Sequence, residues 1–102
     1  MLSTKFIQQS SLMSIHVEFF GIARQRAGVA KVEVPCDGAT NLAAIVAALS
    51  ERFPPLAGEC FDQGGLRPGF IGNIDGERFV FDPETYIDSG CTLLIMSADA
   101  GG

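Results

Sequence analysis

Tryptophan is absent from this chain of 102 residues, and tyrosine and histidine occur once each. No apolar stretch approaches the ~20 residues of a membrane-spanning helix. The three cysteines, Cys36, Cys60 and Cys91, form neither a CxxC pair nor a cluster with the lone His16. Their spacing argues against zinc and iron–sulfur frameworks, and unpaired thiols suit a reducing compartment. His16 alternates with Ile15 and Val17, as a surface strand residue does. No paired-carboxylate motif or phosphate-cradling glycine loop is recognisable, Gly64-Gly65 being too short to count. An enzyme acting alone is therefore not expected, and no metal site. Positive charge is also scarce: seven Lys and Arg stand against twelve Asp and Glu, a net charge of −5. Residues 59–102 hold eight acids against Arg67 and Arg78, a balance of −6, whereas residues 1–58 carry four acids and five bases, a balance of +1. An acidic half of this kind disfavours nucleic acid or an anionic membrane as partner. It suits a protein with a basic rim, although acids also serve solubility alone.

What is present describes one small domain. At 47% hydrophobic and 19% charged residues, the chain has enough apolar material for a core. Residues 1–13 form a polar extension expected to be flexible; it lacks the apolar centre of a signal peptide, and Met13 offers an alternative start. The expected location is the cytoplasm. Ile15–Phe20 alternates, as does Lys31–Val34, and the turn region between them (21–28) makes an opening hairpin. Pro35, Asp37 and Gly38 end the second strand. Thr40 is placed to cap a helix whose apolar positions are Leu42, Ile45, Val46, Leu49 and Phe53, one stripe along a face. Pro54-Pro55 stops it. Residues 56–68 are rich in Gly and Pro and are expected to be mostly irregular. Phe70–Ile74 and Glu77–Phe81 flank Asp75-Gly76, a strong hairpin signal. Asp82–Thr85 then breaks the strand, and Asp88-Ser89-Gly90 turns the chain into a final run, Cys91–Met96.

The order β-β-α-β-β-β predicts an α+β domain, a mixed sheet of about five strands with one main helix on one face. The helical crossover should return the last strand beside the first and parallel to it. That is the β-grasp arrangement, expected over residues 14–96. The helix stripe should face Val17, Phe19, and Leu94 and/or its neighbours. Beyond the central last strand, residues 97–102 form an expected flexible tail, Ser97-Ala98-Asp99-Ala100-Gly101-Gly102. Six extended residues reach at most about 20 Å. Two terminal glycines, lacking Cβ, fit a narrow channel in another protein.

Read together, IHVEFFGIARQRAG, LAAIVAALSERFPPL, IDGERF and YIDSGCTLLIMS followed by Gly-Gly resemble the MoaD/ThiS family of ubiquitin-like sulfur carriers. The match covers about Ile15 to Gly102, and FFGIAR with its downstream Ala-Gly is similar to the small subunit of molybdopterin synthase. The resemblance implies that an E1-like adenylating enzyme of the MoeB/ThiF type activates the Gly102 carboxylate with ATP. Sulfur transfer then gives a thiocarboxylate that is presented to a sulfur-accepting enzyme. Gly102 would be the reacting residue; Gly101, Ala100 and Asp99 would lie in the partner's channel. No cofactor would be bound by the chain itself; ATP is used by the activating partner. Family members often end Pro-Pro-Val-Ser/Ala-Gly-Gly, whereas Met96-Ser97-Ala98-Asp99-Ala100 precedes the doublet here. The sulfur acceptor implied first is the molybdopterin synthase large subunit. Cysteine, thiamin or a specialised metabolite are alternative destinations, and a protein modifier conjugated through Gly102 shares the activation chemistry. A non-covalent interaction domain, with the doublet incidental, is the third alternative.

Overall fold

In the computed structural model, residues 13–36 and 38–98 are described. Two alternating stretches open the chain as β1 (Ser14–Phe19) and β2 (Lys31–Pro35), paired antiparallel with Val17 opposite Val32. The loop between them is not merely a turn. Ile22–Ala27 forms a short helix, α1, entered through Gly21 at φ 63° and closed by Gly28 at φ 81°, whose N–H donates to Arg24 O at 2.9 Å. A left-handed glycine is the usual way to end a helix. Six residues are too few to display a helical period, and only Ala23 among them is fully buried.

The main helix, α2 (Leu42–Arg52), buries the expected stripe of Leu42, Ile45, Val46 and Leu49. Its cap is Asn41 rather than Thr40: the Asn41 side-chain oxygen accepts from Ala44 N–H at 2.9 Å. Thr40 and Asn41 both belong to a short strand, β3 (Ala39–Asn41), which pairs with β8 (Tyr86–Asp88) and runs directly into the helix. This second small sheet is an addition to the elements expected from the sequence, where only the turn at Asp88-Ser89-Gly90 is signalled. Pro54–Leu56 continues as a 3₁₀ turn, and a two-rung hairpin, β4 (Phe61–Asp62) and β5 (Gly65–Leu66), occupies the stretch expected to be irregular. Phe70–Ile74 (β6) and Arg78–Val80 (β7) form the hairpin around Asp75-Gly76. Both turn residues have positive φ, 58° and 73°. Asp75 tolerates this because it is held locally: its N–H donates to Thr92 O and its carboxylate accepts from Thr92 N–H, each at 2.8 Å.

The final strand, β9 (Thr92–Ser97), lies third in the five-stranded order β2-β1-β9-β6-β7. It runs parallel to β1, with Val17 opposite Leu93, and antiparallel to β6, with Gly72 opposite Ile95. The mixed sheet of five strands with one main helix is thus as the sequence implied. On β9 it is the neighbours of Leu94, Leu93 and Ile95, that are buried and meet α2 beside Ile15, Val17 and Phe19. Leu94 alternates to the other face and is half-buried. Phe53 closes the layer by an edge-to-face contact with Phe19, centroids 5.9 Å apart.

The outer edge at β2 is guarded. Arg52 donates to Glu33 O at 2.8 Å, and Pro35 has no N–H to offer. Gly72 fits where no side chain would: an added Cβ would stand 2.9 Å from Val80 Cγ1.

Leu49→Ala should remove buried contact at the centre of this layer and destabilise the domain by about 2–5 kcal/mol. A denaturant midpoint unchanged from the parent would show that Leu49 is not packed as described.

Candidate functional site

The residues singled out by sequence, Asp99, Ala100, Gly101 and Gly102, lie outside the described residues. What is described is how the chain is delivered to them. Pairing continues through Ser97, which is opposite Phe70 and buried, and Ala98 N–H donates to Gly69 O at 2.6 Å. The last strand is thus held on both sides up to Ile95 and by β6 alone from Met96 to Ala98, at one end of the sheet.

Around that exit, the sheet face turned away from α2 is apolar. Glu18, Leu94, Asn73 and Phe79 stand side by side across β1, β9, β6 and β7. One step nearer the exit, Met96 lies opposite Ile71, with Phe20 and Phe81 just past the ends of β1 and β7. Phe20 N–H donates to Ile95 O at 2.9 Å, which fixes the ring beside β9. Phe79 and Phe81 stack with centroids 6.3 Å apart and 28° between planes. Both are left to solvent, at 63% and 65% exposure, and Phe20 at 41%. A contiguous apolar strip of this kind on a small domain marks an interaction surface. At its β1 margin Glu18 stands opposite Lys31 of β2.

Sequence reasoning missed this strip, although a signal for it existed. Leu93-Leu94-Ile95-Met96 does not alternate, which is the pattern of a strand with both faces apolar.

The remaining candidates do not converge. His16 is on the surface, its Nδ1 3.6 Å from a Glu33 carboxylate oxygen. Among the described residues, no group of three or more His, Cys, Asp and Glu could hold a metal ion, and no helix is long and apolar enough to cross a membrane. A cleft of about 370 Å³ lies between α2 and residues 57–64, lined by Ala43, Ala47, Phe61 and Gln63 among others. Cys60 is fully buried; burial pushes its thiol pKa up, Glu59 adds to the shift and Arg26 opposes it. Cys91 is raised by burial too, with Asp75 contributing. Cys36 lies within 3.9 Å of Gly38 O.

No family model and no curated protein sequence matches the chain. Solved structures do. The crystal structure of SAMP1 from Haloferax volcanii superposes with a TM-score of 0.74 at 23% identity, covering 87% of this chain and 99% of that one. The fold is the ubiquitin-like β-grasp. The same β-grasp is shared with small archaeal modifier protein 1 from Methanosarcina acetivorans (TM-score 0.68, 18% identity, 88% and 97% covered). It is shared too with a putative molybdopterin converting factor subunit 1 from Pyrococcus furiosus (0.68, 20%, 83% and 97%).

The raised thiols give a prediction with a definite sign. A thiol whose folded pKa exceeds its unfolded value stabilises the β-grasp below the ordinary thiol pKa of ~8.5, and that contribution is lost as pH rises through the folded value. Native protein near pH 8 should thus resist iodoacetamide at Cys60 until it is unfolded, and its urea midpoint should fall toward pH 10. Rapid native alkylation of Cys60 would contradict its burial.

Proposed function

We propose that this chain is a ubiquitin-like sulfur carrier whose Gly102 carboxylate is activated by an E1-like adenylating enzyme. The observation that carries the proposal is that the central strand, β9, leads out beside the apolar strip into a segment ending Ala100-Gly101-Gly102. A partner docking on the strip would receive that segment at a defined origin. The chemistry follows from the weakness of a carboxylate as an acyl electrophile. A carboxylate oxygen attacks the α-phosphorus of ATP and pyrophosphate leaves. Hydrosulfide (HS⁻) supplied by the partner then attacks the acyl carbon, AMP leaves with the C–O bonding pair, and loss of the S–H proton gives the thiocarboxylate. In this reading the chain contributes positioning and a substrate group; ATP, base and sulfur belong to its partners. The action would be cytoplasmic.

Molybdopterin assembly is the destination favoured here, supported by the sequence resemblance and by the fold shared with the Pyrococcus furiosus protein. A second reading, a modifier joined through Gly102 to lysines of other proteins, is favoured by the likeness to small archaeal modifier protein 1. Adducts that persist in denaturant and reductant would distinguish the modifier. An intact mass with one oxygen replaced by sulfur would distinguish the carrier.

Deleting Gly102 draws the carboxylate back by about 3.5 Å, and Gly101→Val places a branched side chain in the channel. Misplacement of even ~1 Å can cost about a hundredfold in rate. Both variants should melt like the parent while pyrophosphate exchange with the E1-like enzyme of the same organism collapses. Parental exchange by the Gly102 deletion would defeat the carrier reading.

The net charge of −5 should make association with that enzyme slow as salt is raised, with dissociation changing less. An association rate independent of salt would remove the electrostatic contribution.

A further inference from the structure

Asn73 sits in the middle of the apolar strip, on β6 between Leu94 of β9 and Phe79 of β7. Its flanking residues Gly72 and Ile74 face the helix layer, so the Asn73 side chain projects on the strip side. It is 8% exposed, and its Oδ1 is buried without a hydrogen-bond partner. Buried acceptors are nearly always satisfied, and one left unmade is a standing cost. Leucine or valine would suit a β-strand beside Leu94 and Phe79 better, so the position is expensive in the isolated protein for no visible return.

We propose that Asn73 Oδ1 is the acceptor for an arginine side chain of the activating enzyme, inserted into the strip when the two proteins dock. The proposal rests on the carrier reading given above. Three features select a guanidinium over other donors. The acceptor is flanked by the exposed, stacked rings of Phe79 and Phe81, a surface over which a planar cation is attracted. Glu18 lies in the same cross-strand row as Asn73, with Lys31 of β2 opposite it, and the net charge of −5 over the whole chain favours a cationic partner. Arginine is also the cation least costly to desolvate, with several donors in a rigid fork. A second copy of this chain is a poorer occupant, since it brings the same net charge of −5 to the interface.

An interfacial role and a structural role for Asn73 predict opposite changes. Asn73→Leu keeps the branching and number of side-chain heavy atoms and removes the orphan acceptor, so the isolated protein should melt at or above the parental temperature. Its affinity for the E1-like enzyme, measured by calorimetry, should nonetheless fall about 10- to 100-fold, the range for a hydrogen bond to a charged group. Asn73→Ala, which adds no bulk, should lose affinity similarly. Phe79→Ala should also weaken binding. Combined with Asn73→Leu it should lose less than the product of the two effects, because one guanidinium serves both residues. The proposal is overturned if Asn73→Leu binds within about twofold of the parent, or if its melting temperature drops together with affinity. Parental binding by Asn73→Leu would leave the carrier reading intact. Failure of the unaltered protein to bind the enzyme at all would overturn both.

Discussion

The parallel pairing of β1 with β9 is the constraint on which the rest depends. Parallel neighbours cannot be joined by a tight turn, so every element between Phe19 and Thr92 must be stowed on one face or at the far edge of the sheet. Helix α2 takes the face, and the β6–β7 hairpin extends the edge. The last strand, by being inserted between the first and the middle hairpin, is hydrogen-bonded on both sides up to Ile95 and to β6 alone as far as Ser97. A segment that must be handed to another protein is thereby anchored at the best-supported position in the sheet. An edge strand would have peeled away under the same demand.

That central position also gives β9 two jobs that a single strand face could not combine. Leu93 and Ile95 complete the core against Leu42, Ile45 and Leu49. Leu94 and Met96, pointing oppositely, build the strip with Ile71, Phe20, Phe79 and Phe81. Side chains one residue apart thus tie the stability of the domain to the placement of its contact surface. Repacking the core would shift the strip and the origin of the tail together.

The elements legible in the sequence were those with a long or unambiguous local pattern. The eleven-residue helix showed its stripe, and Asp75-Gly76 named its hairpin through the positive φ that both residues adopt. The central last strand followed from handedness and crossover rules rather than from any residue. What escaped was short or dependent on distant partners. Helix α1 spans only Ile22–Ala27, and β3 exists because Ala39–Asn41 finds Tyr86–Asp88. The cap is Asn41 rather than Thr40 because the helix begins at Leu42, which puts Asn41 immediately before its first residue. Of the site, the terminal residues could be picked out by chemistry alone, but the strip could not. Phe20, Phe79 and Phe81 are separated by some sixty residues and become neighbours only once β1, β9, β6 and β7 are set in order.

An exposed apolar strip on a small protein invites indiscriminate contact, and the strip here carries a means of discrimination. Asn73 Oδ1 is already shut off from water and unpaired in the isolated chain. A surface without a donor leaves that cost as it was, whereas one that supplies a donor relieves it. The net charge of −5 adds a second condition, repelling other acidic chains, copies of this one included. Selectivity of this kind is a difference between partners rather than an absolute strength. The orphan carbonyl does not penalise a wrong contact; it favours the right one, which alone brings a well-placed donor.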